Sequence, residues 1–199
     1  YGLTSMDATI ASGIHTVLSN SDQYLNDPDD GNASTKDYGH LYSEALAAYI
    51  GAGNADPRST YDTVGIYFTD VGFSWSGLAS VGGQKMWLEN STSSKLILHE
   101  LGHNYGLKHA NYWAFDYSNG SSTNPVDPTG ASQEYGDVTD TMGGGSIDEG
   151  HFHMAAKQEL SWLAGNQWQD LSSNTDNGNY RIYRFDQGSA TGNQALRIA

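Results

Sequence analysis

Eleven residues constrain this chain more than any others: His99-Glu100-Leu101-Gly102-His103-Asn104-Tyr105-Gly106-Leu107-Lys108-His109. On an α-helix, side chains four residues apart share a face, so His99 and His103 can each offer a nitrogen to one metal ion. The chain must then leave the helix and turn back. Gly106 can supply the left-handed backbone that ends a helix, letting His109 return as third ligand. Three neutral imidazoles leave the fourth tetrahedral position of a zinc ion open to water, which is the mark of a catalytic rather than a structural zinc. Glu100 follows the first ligand and points about 100° away around the helix, toward the mouth of the site. There it can take a proton from water that the cation has acidified from a pKa of 15.7 to roughly 7. The pattern implies hydrolysis of an amide, with Glu100 as general base and His99, His103 and His109 as zinc ligands. A solvated surface helix would explain two histidines, but not the further identities at Gly106 and His109.

Met142 lies thirty-three residues after His109, in Asp140-Thr141-Met142-Gly143-Gly144-Gly145. The eleven-residue motif followed by such a methionine resembles the metzincin clan of zinc endopeptidases. Glu134-Tyr135-Gly136-Asp137, Met142-Gly143, His151-Phe152 and the stretch from Lys157 to Trp162-Leu163 resemble its gametolysin-like branch more narrowly, and the resemblance covers about residues 60 to 165. It implies an α/β metzincin-type catalytic domain: a twisted mixed sheet, an active-site helix and a C-terminal helix about a horizontal cleft, with a smaller lower part after Gly106. It also implies that Met142 forms a hydrophobic floor beneath the three imidazoles without binding zinc, a role suited to a polarizable thioether. Several metzincin branches carry a tyrosine two residues after this methionine, where this chain has Gly144. His151 and His153 are then the candidate contacts to the cleft or to the oxyanion, and His153 stands where the branch pattern has asparagine.

The 199 residues and the 37% apolar content suit one catalytic domain, expected over residues 1–170. Residues 171–199 read as a strand-like segment, the possible start of a further β domain. The chain begins at Tyr1 and reads as a mature or trimmed form of a secreted, extracellular protein. Without cysteine, it cannot use a thiolate ligand, a cysteine nucleophile or a cysteine latch. A net charge of −14 argues against nucleic acid or an anionic membrane as partner. The expected partner is a protein or peptide bound extended along an edge strand to a monomer. Two other readings share the zinc motif: a non-catalytic adhesion or binding module with a relic site, and a zinc amidase acting on cell-wall material. Retention of Glu100 argues against the relic.

Ile10, Ile14, Val17 and Leu18 follow Thr4-x-x-Asp7 at helical spacing and predict a first helix over about 5–19. A second is expected from His40 to Ile50, ending at Gly51. Strands are expected at Thr63–Val71 and Gln84–Leu88, followed by the zinc helix, capped by Ser91 or Thr92 and running to about Tyr105. Residues 111–137, rich in Gly, Ser, Asn, Asp and Pro, read as a long loop. A helix over 152–163 should set Phe152, Ala156, Leu160 and Leu163 on one face, and Tyr180–Phe185 and Ala195–Ile198 read as strands. Asp27-Pro28-Asp29-Asp30-Gly31-Asn32 suggests Ca²⁺ but lacks the spacing and terminal glutamate of an EF-hand, so a solvated turn is the preferred reading.

Overall fold

The computed structural model describes residues 7–25, 36–114, 130–145, 151–171, 178–184 and 192–197. Its elements are α1 (Ser21–Leu25), α2 (Tyr38–Gly51), β1 (Val64–Phe68), β2 (Gly77–Ala79), β3 (Lys85–Glu89), α3 (Ser94–Asn104), β4 (Tyr112–Ala114), β5 (Ala131–Gln133), α4 (Met154–Glu159), β6 (Trp168–Asp170) and β7 (Ala195–Arg197). The architecture is mixed α/β with small sheets.

β3 lies at the centre of a three-stranded sheet, parallel to β1 and antiparallel to β2. A central strand is covered on both faces, and both Met86 and Trp87 are buried. α2 starts at Asp37, whose carboxylate accepts the His40 N–H at 2.7 Å. It sets Tyr42 and Leu46 against Val64 and Trp87, and the Trp87 indole donates to Tyr38 O at 2.7 Å. The turn between β2 and β3 is tied to the end of α3. Gly82 N donates to His103 O at 2.8 Å, and the Asn104 amide donates to Ser80 O and Lys85 O. These bonds fix α3 beside β2.

Several expectations are corrected. The described part of 5–19 is not helical before Ser21: Ile10, Ile14 and Leu18 are almost fully exposed, and Gly13 sits at φ +93°. An apolar stripe gives a helix little stability without a surface to cover it. Ser93, not Ser91 or Thr92, caps α3, accepting the Leu96 N–H at 3.5 Å. The strand expected at Gln84–Leu88 is the central one of its sheet, β3, and the edge strand β2 was not foreseen. The expected loop over 111–137 contains the antiparallel β4–β5 ribbon. The last helix is shorter than 152–163, although Phe152, Ala156 and Leu160 do pack together with Leu107 and Met142. Tyr180 to Arg184 are not a strand, whereas β7 pairs in parallel with β6. The Asp27–Asn32 segment lies outside the described residues.

Candidate metal centre

α3 carries His99 and His103 one turn apart, both buried. Its end forms as the sequence requires: Gly106 adopts φ +103°, Gly106 N donates to His103 O at 2.8 Å, and Leu107 N donates to Gly102 O at 3.0 Å. The chain turns back and brings His109 to the other two rings, at centroid separations of 5.5 Å from His99 and 4.9 Å from His103. One ligand atom from each of the three lies within 4.8 Å of the others.

The hydrogen bonds on the far edge of each ring decide which nitrogen is available. His99 Nδ1 lies 2.9 Å from Thr141 O, His103 Nδ1 lies 2.8 Å from Leu107 O, and His109 Nδ1 lies 2.7 Å from Glu134 Oε1. Carbonyl and carboxylate oxygens only accept, so each Nδ1 carries the proton and each Nε2 keeps its lone pair. Burial lowers the pKa of His99 and of His103, which keeps both rings neutral. Three imidazoles, each oriented by its rear hydrogen bond, fit a zinc ion by donor type, number and orientation.

Glu100 is only 4% exposed, and burial pushes its carboxyl from the ordinary 4.5 to about 7. The edge strand lies directly against it. A Cβ at Gly77, the first residue of β2, would sit 2.5 Å from Glu100 Oε1 and 2.6 Å from Leu96 Cδ1. Without a side chain at Gly77, β2 runs close to this carboxylate and displaces neither it nor Leu96.

Met142 is buried behind the helix, packed with Leu107 and Phe152. Its turn is closed by Gly143 N to Asp140 O at 3.0 Å, and Asp140 Oδ1 accepts Met142 N at 2.6 Å. Met142 O accepts Ala110 N at 2.9 Å, next to the third histidine. A side chain at Gly102 would run into Met142 Sδ, so the helix and the turn touch at a glycine. Thr141 O at the same turn holds His99, so one short segment both backs the helix and orients that ring.

The two later histidines lie elsewhere on this turn. His153 Nδ1 lies 3.3 Å from Asp137 Oδ2, and its Nε2 lies 3.1 Å from Thr139 Oγ1. Its backbone N–H donates to Asp140 Oδ2 at 2.6 Å. His151 is exposed, and its carbonyl accepts Thr141 N at 3.4 Å. Among the described residues, the convergent donor cluster contains neither.

Two residues acquire a place that the sequence did not assign them. Glu134 binds His109, and the Tyr135 ring lies 3.7 Å from the His109 centroid and 5.9 Å from that of His99. The only sequence signal was their presence in the Glu134-Tyr135-Gly136-Asp137 stretch.

Among the described residues, no helix is long and apolar enough to cross a membrane. No curated protein and no solved structure matches the chain. Residues 33–124, which include all three converging histidines and Glu100, match the family model described as gametolysin peptidase M11, and this similarity supports a metallopeptidase family for the chain.

Proposed function

We propose that this chain is a secreted zinc endopeptidase of metzincin type that hydrolyses peptide bonds of extracellular proteins. The reading is carried by one observation: a buried glutamate beside three imidazoles whose Nε2 atoms are all left available. His99, His103 and His109 would hold the ion, with Met142 as the floor behind the helix. Bound zinc supplies acidification of a water molecule and polarisation of the carbonyl under attack.

Glu100 accepts the proton of the attacking water and passes it to the leaving amine. Burial raises the proton affinity of this carboxyl in the metal-free protein, which favours its acceptance of the proton. The peptide lies extended along β2, an edge strand with one ladder partner, so backbone groups recognise any peptide and side-chain pockets select among them. Gly77 against Glu100 brings that strand to the reacting carbonyl. Of the two histidines after the turn, His153 acts through Asp137 and Thr139, and His151 is the candidate donor to the developing oxyanion.

The test is mass-spectrometric cleavage of a mixed peptide library, with and without a zinc chelator. Cleavage that the chelator abolishes and added zinc restores supports the endopeptidase. If no peptide is cut and cell-wall material is, the amidase replaces it. If neither is attacked by the zinc-loaded protein, the site is a relic.

A further inference from the structure

The three candidate ligands are not held alike. His99 and His103 stand on a helix, and backbone carbonyls of buried or tightly turned chain hold their Nδ1 atoms. His109 lies past the helix end, and its anchor is a carboxylate twenty-five residues further along. That carboxylate arrives on the β4–β5 ribbon, directly after β5. The same strand end delivers Tyr135 onto the face of the ring.

We propose that Glu134 and Tyr135 are positioning residues for the third metal ligand, the carboxylate fixing the His109 ring by its Nδ1 edge and the phenol ring covering its face. This rests on the zinc reading of the three histidines. The backbone is built to keep the pair in place. Tyr135 adopts φ +58°, a conformation that L residues avoid and that persists only where surrounding contacts enforce it. Its carbonyl accepts Gly144 N at 2.7 Å, and its N–H donates to Asn111 Oδ1 at 3.1 Å. One bond comes from the methionine turn and the other from the start of the ribbon, so the strained residue is clamped from both sides.

The Glu134 side chain is 68% exposed, against 22% for His109. A contact so open to water adds little to fold stability. Its effect falls on the ligand instead. A carboxylate on the rear nitrogen fixes tautomer and ring plane and makes the opposite nitrogen a better donor, and losing such a partner weakens metal binding about 10–100-fold. The ribbon is thus part of the metal centre, although it contributes no ligand atom.

The experiment is titration of the metal-free protein with Zn²⁺ against a chromophoric chelator, with melting temperatures recorded in parallel. Glu134→Ala should weaken zinc about 10–100-fold while the metal-free protein melts as before. Glu134→Gln keeps an acceptor without the charge and should fall between. Tyr135→Phe should bind as tightly as the parent, and Tyr135→Ala more weakly. In a His109→Ala background, Glu134→Ala should cost nothing more, because its effect passes through that ring. Full affinity in Glu134→Ala, or an equal loss with and without His109, overturns the proposal while leaving the zinc reading intact. A parent protein that binds no zinc overturns both.

Discussion

Replacing Glu100 by glutamine separates the chemistry of this residue from its cost to the fold. Glu100 is 4% exposed, and burial alone accounts for the rise of its carboxyl from 4.5 to about 7. The folded, metal-free protein therefore keeps this proton up to about pH 7, whereas the unfolded chain releases it near 4.5. Between those values the folded state binds more protons, so stability falls as pH rises through that window. The gap corresponds to about 3 kcal/mol, a large share of the roughly 5–15 kcal/mol that holds a domain together. Glutamine has the same shape and never ionises. Glu100→Gln should match the parent near pH 4.5 and exceed it at pH 8 by up to about 3 kcal/mol, a melting shift of roughly 6–12 °C for a domain of this size. His99 and His103, lowered by burial, also shape the profile, but equally in both proteins. Zinc should stay near one equivalent while turnover falls by about two to four orders of magnitude. Chemical denaturation of the two metal-free proteins across pH, with metal analysis and peptide cleavage on the loaded forms, measures all three. Parallel stability profiles would refute the burial argument, and surviving activity would refute the general base.

Gly102→Ala gains about 1 kcal/mol of helix propensity but drives a methyl group into Met142 and Phe152, an overpacking of about 1–3 kcal/mol. Melting temperature and zinc affinity should both drop, and Met142→Ala in the same chain should recover part of the affinity. Glu44, although burial pushes it up, is held down to about 2 by hydrogen bonds from the Tyr24 hydroxyl and from Ser19. Its contribution is present above about pH 4.5 and lost as pH falls toward 2, so acid titration of Glu44→Gln should give a flatter stability profile than the parent. His151→Ala should lower kcat and kcat/KM together by roughly a hundredfold. His153→Ala should mainly lower the melting temperature, through loss of its contacts to Asp137 and Thr139, and steady-state kinetics beside thermal melts tell the two apart.

The sequence was most legible where a few neighbouring residues decide the outcome. Two histidines at a four-residue spacing share a helix face in any helix, and Gly106 turns the chain because only glycine takes φ +103° at no steric cost. The cores of α2, β1 and β3 were readable for the same reason, since their apolar patterns agree with local propensity. What depends on a partner distant in the chain was not readable. Ile10, Ile14 and Leu18 have helical spacing, but no packed surface covers them, and periodicity alone does not make a helix. Gly77-Leu78-Ala79 has no strand signature and becomes the edge strand only because β3 lies beside it. The three histidines that converge could be read from the sequence, whereas the orientation of each ring could not. Thr141, Leu107 and Glu134 fix the three Nδ1 atoms, and all three lie beyond the end of α3, in chain that must first leave the helix and return. A hydrogen bond forms only when its partners meet in space, and no spacing along the chain encodes that meeting directly.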